Sequence, residues 1–204
     1  AHWNARNDLE AIIGLMEIQR KTKGKLLGHQ GFTDASLSAL QSRIRVMSIL
    51  HDSLSQSQDP SRIDAQDYLS ALVSYVRSSS NASPELEFST DAAGAALNLE
   101  SAVPVGMIVN ELVTNAIKYA FPKNQPAFGA DKCEIKVSLE QRNSEYILTI
   151  DDNGVGLPKM PDLDKTTTLG LRLVRMLGVD QLGGKLTVNR TRGTRFVLKF
   201  NIKQ

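Results

Sequence analysis

Cysteine is almost missing from this chain: Cys133 is the only one in 204 residues. An intrachain disulfide is therefore impossible, and a cysteine-built metal site is not expected. Charge of one sign is missing as well. Lys and Arg number 24 and Asp and Glu 22, a formal net charge of +2, with no basic run that could track a phosphate backbone. Nucleic acid is thus not an expected partner. No apolar run approaches the roughly 18 residues that a membrane-crossing helix needs, and no signal peptide is visible. No membrane contact is expected of this fragment, and the lone cysteine fits a reducing, cytoplasmic setting. The opening AHWNARNDLEAII already reads as helix with no start signal before it, so the chain reads as continuing something longer. What is present is ordinary: the hydrophobic share is 41% and the charged share 23%, as in a globular protein of one or two domains.

The N-terminal third has helical periodicity. Leu9, Ile12, Ile13 and Met16 recur at spacings of three and four within residues 4–22. Three glycines in KGKLLGHQGFT, residues 23–33, break that helix. A second helix is expected over residues 34–55, with Leu37, Leu40, Ile44, Met47, Leu50 and Leu54 as its stripe. Two amphipathic helices joined by a short loop make an antiparallel hairpin. Asp64 can cap a third helix over residues 65–78, burying Tyr68, Leu69, Leu72, Val73 and Val76. The texture then changes. LEFSTD and AALNLE read as strands, and a helix is expected to begin near Pro104 and end near Phe121-Pro122. CEIKVSLEQ and YILTIDDNG form a hairpin, residues 169–182 a helix, and KLTVNR and TRFVLKFNI a closing hairpin. The expected fold is α+β. A helical hairpin over residues 1–80, half of a four-helix bundle, precedes a sandwich over residues 81–204, with helices on one face of a mixed, mainly antiparallel sheet.

Three motifs carry chemistry. The first is N-E-L-V-T-N-A-I-K-Y-A-F, Asn110 to Phe121. Glu111, Asn115 and Lys118 are spaced four and three apart and share one face of an otherwise apolar helix. Burying them there without partners would be costly. A nucleotide with Mg²⁺ would supply those partners; the alternative is a stripe facing solvent. The second is D-D-N-G-V-G-L-P, Asp151 to Pro158, directly after a strand. A carboxylate at a strand end can accept from an exocyclic amine, and the glycines let backbone approach a ligand; a plain glycine-rich turn is the other reading. The third is T-T-T-L-G-L-R-L-V, Thr166 to Val174, where a glycine at a helix mouth offers N–H groups to an anion.

In order and spacing these motifs resemble the N, G1 and G2 boxes of the GHKL ATPases, the superfamily of histidine kinases, type II topoisomerases, Hsp90 and MutL. GGKLTVNRTRGTRFVLKF resembles the closing hairpin of that fold, with Gly193-Thr194 at its late nucleotide contact. The resemblance implies a site for ATP built from Asn115, Lys118, Tyr119, Asp152, Gly154, Gly156, Gly170, Leu171 and Thr194. It implies Mg²⁺ at Asn115 and Glu111, with Glu111 also catalytic. The third motif departs from a full G-x-G, since only Gly170 is present.

The N-terminal part, NDLEAIIGLMEIQ and then LQSRIRVMSILHDSLSQSQDPSRIDAQDYLSALV, resembles the dimerisation and phosphotransfer region of the H-R-x-x-N-N subfamily of histidine kinases. The W-x-E of the sister subfamily is not found in the ATP domain. Membership implies autophosphorylation on histidine by ATP, then transfer to an aspartate of a response-regulator receiver domain. It also implies a homodimer through the hairpin, although monomers occur in this subfamily. The location would be cytoplasmic, as part of a larger sensor. The acceptor motif departs from the pattern. Aligning Asn7-Asp8-Leu9-Glu10 with N-N-L-Q puts Trp3, not a histidine, at the acceptor position. Helical phase sets residue 3 beside 7, 10 and 14, on the solvent side. Either His2 serves from a shifted helix start, or the acceptor is lost and the chain acts as a phosphatase or docking protein. His51 suits a structural role, and His29 reads as a surface residue.

Overall fold

The computed structural model describes residues 44–53, 62–80, 82–122, 132–157, 169–190 and 192–202. The first expected helix, the glycine-rich loop, His2, Trp3 and His29 lie outside the described residues. The chain divides into two compact units, residues 1–48 and 49–204. Residues 44–53 are helical (α1), as expected for the second hairpin helix. Its buried pair is Val46 and Leu50, four residues apart and hence on one face. Ile44, expected in the apolar stripe, is instead 49% exposed, because a step of two residues from Val46 points it to the opposite side of the helix.

In the second unit, strand β1 (Ile63–Asp64) leads into α2 (Ala65–Ser79). Asp64 caps α2 as expected, its carboxylate accepting from the Asp67 N–H at 3.0 Å. The five residues expected to be buried on this helix are buried, with Ala65 added. Tyr68 is fully buried, and its hydroxyl donates to the Ala102 carbonyl at 3.0 Å. Gln66 ties the same helix to the end of β2 (Glu87–Asp91) by accepting from the Ala92 N–H at 2.7 Å. By packing, α2 thus belongs with the sheet-bearing unit.

After β3 (Ala96–Leu97), helix α3 runs over Leu99–Tyr119. It starts ahead of Pro104, which falls inside it. The start signal is Asn98, whose side chain accepts from the Ser101 N–H at 3.0 Å and the Ser101 hydroxyl at 2.7 Å. A proline there leaves the Glu100 carbonyl without its helical partner, and exposed Glu100 can meet water instead. Buried residues lie on several sides of α3, among them Val105, Ile108, Val109, Leu112 and Val113. A helix apolar on so much of its circumference is a central one.

The sheet runs β2-β4-β5-β7-β6, with β4 (Glu134–Arg142), β5 (Glu145–Asp152), β6 (Lys185–Asn189) and β7 (Thr194–Asn201). β2 pairs parallel to β4 and every other neighbour is antiparallel. Alternation sends Ile135, Val137 and Leu139 inward, with Val137 opposite Ile150 and Leu139 opposite Leu148, while Tyr146, Leu148 and Ile150 face Phe200, Leu198 and Phe196. The observed class is the expected α+β.

The helix expected over residues 169–182 changes character midway. Leu169–Arg175 is α-helical (α4) and Met176–Gln181 is a π turn. Gly178 in that turn explains the wider winding. A Cβ there would come 3.0 Å from the Leu198 side chain and 3.7 Å from that of Ile108, so the backbone seats directly on the core. Leu182 then bonds back five residues, to the Leu177 carbonyl, at 2.9 Å.

Capping makes one measurable demand. Asn98→Ala removes the amide oxygen that accepts both bonds at the start of the central helix and should cost about 1 kcal/mol. Denaturant unfolding should show a lower midpoint with an unchanged slope; an unchanged midpoint would mean that the cap contributes nothing.

Candidate nucleotide site

The inward rows of the sheet end at Ile135, Asp152 and Thr194. Asp152 therefore takes a position that the strand otherwise gives to Tyr146, Leu148 and Ile150. It is 7% exposed, and its Oδ1 accepts from the N–H groups of Gly154 at 3.0 Å and Thr194 at 3.2 Å. Burial pushes its carboxyl above the ordinary aspartate range, while those bonds and the Thr194 hydroxyl pull the other way. Its neighbour Asp151 faces outward and pairs with Arg195 at 2.5 Å. Period-two geometry thus separates two adjacent carboxylates into an internal and an external one.

Beside Asp152 opens a cavity of about 710 Å³. Leu112, Ala116, Ile150 and Phe196 supply apolar wall, and Asp152 and Thr194 polar wall. Glu111, Asn115 and Lys118 line it from α3, as their spacing predicts, together with Tyr119. Gly156, Gly170 and Leu171 also line it. The volume lies in the range that holds small-molecule ligands. Of the two readings of the polar trio, packed burial is not the one seen. Glu111 and Asn115 are half-buried and Lys118 is exposed, because their face opens on the cavity and not on packed core. Their presence therefore does not require a ligand to offset desolvation. Asn115 donates its amide to Glu111 Oε1 at 3.4 Å, which leaves the amide oxygen as the atom available to a cation.

Two glycines are fixed by space. At Gly154 a Cβ would lie 2.2 Å from the Ala120 carbonyl oxygen, and the adjoining Val155 N–H bonds that oxygen at 2.9 Å. Gly154 is not part of the cavity lining; it lets the turn close against the end of α3. At Gly170 a Cβ would overlap Glu111 Oε1. The space beside this glycine is thus taken by a carboxylate, where the motif alone suggested N–H groups open to an anion.

Sequence reasoning missed Asn153. Its Oδ1 accepts from the Glu134 N–H at 2.8 Å and its Nδ2 donates to the Lys132 carbonyl at 2.7 Å, bracketing the turn to the start of β4. The available signal was an asparagine beside a glycine turn, a residue that commonly satisfies nearby backbone.

Two family models match the chain in separate stretches. Residues 100–204 match the family described as histidine kinase-, DNA gyrase B-, and HSP90-like ATPase, and residues 2–80 match one described as histidine kinase. The sensor histidine kinase PdtaS of Mycobacterium tuberculosis is 25% identical over 200 residues, 97% of this chain but 38% of its own. The chain therefore spans about two fifths of that relative. Among solved structures, the histidine kinase domain of the Erythrobacter litoralis blue-light-activated kinase EL346 superposes with a TM-score of 0.69 at 22% identity, covering 94% of this chain and 84% of that one. The ATP-binding domain of PrrB from M. tuberculosis gives 0.52 at 22% identity, over 70% and 97%. The fold is that of the GHKL class. The chain belongs to the histidine kinase-, DNA gyrase B- and HSP90-like ATPase family.

The two fixed glycines should respond differently to substitution. Gly154→Ala drives a methyl into backbone and should cost roughly 1–3 kcal/mol. Gly170→Ala meets only the end of a flexible side chain, so stability should hold while the Glu111 carboxylate shifts. Thermal unfolding of both variants checks the contrast, and equal losses would contradict it.

Proposed function

We propose that the cavity binds ATP with Mg²⁺ and that the chain is the catalytic core of a histidine protein kinase. One observation carries the reading: a buried, hydrogen-bonded carboxylate at the end of a strand lines the same cavity as a carboxylate, an amide and an ammonium from one helix. The residues fit the group. Asp152 is a rigid acceptor suited to an exocyclic amine, and Lys118 supplies charge for phosphate. No cluster of three His, Cys, Asp or Glu exists among the described residues to cage a cation without phosphate. Magnesium bound through one or two protein oxygens plus phosphates suits Asn115 and Glu111. Leu171, Gly156, Tyr119 and Thr194 complete the surround.

The nucleotide would supply the transferable phosphoryl group when bound. The chain's own work would be orientation and charge neutralisation, which dominate such transfers. In this reading residues 1–80 provide dimerisation and histidine phosphotransfer, residues 81–204 bind ATP, and the phosphoryl group passes to a receiver-domain aspartate. His2 would be the acceptor. A second reading is favoured by Trp3 at the family's acceptor position: the chain keeps ATP but acts as a response-regulator phosphatase or docking protein. We place it in the cytoplasm. No helix among the described residues is long and apolar enough to cross a membrane.

Calorimetry with Mg-ATP tests the binding. Asp152→Asn keeps an oxygen for the Gly154 and Thr194 N–H groups but turns a donor toward the base. It should weaken binding roughly ten- to a hundredfold, the worth of a hydrogen bond to a charged group. A carboxyl whose folded pKa lies above its unfolded one destabilises the fold at neutral pH, so the variant should be at least as stable as the parent. Undiminished affinity would remove Asp152 from the site. The same raised pKa sets a pH dependence. An amine prefers the ionised acceptor, so affinity should be full above the raised pKa and fall as pH drops through it, sooner than an ordinary aspartate would dictate. Asp152→Asn should abolish that slope. For catalysis, γ-labelled ATP should leave acid-labile label that His2→Ala removes; no label, with regulator dephosphorylation retained, selects the second reading.

A further inference from the structure

The β6–β7 turn grips the Asp152–Leu157 turn at both ends. At one end the Thr194 N–H bonds the Asp152 carboxylate. At the other, Arg190 Nη1 donates to the Leu157 carbonyl at 3.1 Å. Between them the two backbones touch. Gly156 (φ +72°) would carry a Cβ 3.1 Å from the Gly193 carbonyl oxygen and 3.6 Å from that of Arg190. Gly193 (φ +84°) would drive one into the Asp152 carbonyl oxygen. Both glycines hold a backbone conformation that other residues rarely adopt. Gly156 and Leu157 line the cavity, whereas Arg190 is an exposed residue outside the lining.

We propose that Arg190 is a positioning residue for the nucleotide: it holds the Leu157 end of the turn in the form that walls the cavity. This rests on the reading of the cavity as a nucleotide site. An unlatched loop must be ordered when ligand arrives, and that cost is subtracted from affinity. A latch made beforehand removes part of it. The guanidinium suits the task, since it offers charged, planar donors at the end of a long stem. Arg192, exposed in the same turn, carries the same charge and has no such bond to Leu157. It separates a latch from a general electrostatic pull on phosphate.

The test compares Mg-ATP affinity by calorimetry for the full chain and for Arg190→Ala, Arg190→Lys and Arg192→Ala. Amide exchange is followed across residues 154–157. Arg190→Ala should weaken binding roughly three- to tenfold, within the net worth of one hydrogen bond. It should also speed exchange in the turn, including the Val155 N–H bonded to Ala120. Arg190→Lys should recover part of both effects, and Arg192→Ala should stay within about twofold of the parent, as expected of a surface change. Parental affinity and exchange in Arg190→Ala overturn the inference, as do equal losses in the two alanine variants. A parent chain that binds no ATP overturns the nucleotide reading and this inference together. Parental binding with an unmoved Arg190→Ala overturns this inference alone.

Discussion

One buried carboxylate organises the site. Asp152 sits where alternation along β5 puts apolar side chains, and burying its charge is expensive unless hydrogen bonds compensate. Those bonds come from the backbone of two turns, at Gly154 and Thr194. Both turns must therefore bend sharply at the strand ends, and each needs a glycine to do so. The cavity's shape follows from satisfying one acidic group.

The second constraint is helix α3. It is buried on several sides yet shows a polar edge to the cavity, so the same element builds the core and presents Glu111, Asn115 and Lys118. The Val155 N–H bond to the Ala120 carbonyl fastens its C-terminal end to the turn after β5. Helix α3 thus ties the cavity wall to the core. A change that shifts α3 moves the core and the cavity wall together.

Much of this was legible in the residues. Period-two runs marked β4, β5 and β7, because their inward positions are apolar up to the strand ends that carry Asp152 and Thr194. The Asp64 cap and the buried face of α2 followed from local chemistry. So did the shared face of Glu111, Asn115 and Lys118, which helical spacing alone dictates. Other features depend on distant contacts that no local pattern encodes. Pro104 looked like a helix start because proline favours first turns, but Asn98 supplies a stronger one upstream. The π turn at Met176–Gln181 arises where Gly178 meets Leu198 and Ile108. Whether Glu111 and Asn115 face core or solvent stayed open on an apolar helix, and the opening beside them exists only once β5 and α4 are in place. Asn153 and Arg190 act on backbone far along the chain.

The single parallel pairing, β2 with β4, has a bearing on how the molecule assembles. The β4–β5 and β6–β7 hairpins join neighbours in the chain and can form by local search. Parallel strands need a long crossover, and here α3 is part of that connection. Closing such a loop is slow, because its entropy is lost before its contacts are gained. The hairpins should therefore precede the docking of α3 and β2 during synthesis. The sheet-borne wall of the cavity carries the same demand, since Asp152 and Thr194 are 42 residues apart, so both walls wait on long-range pairing.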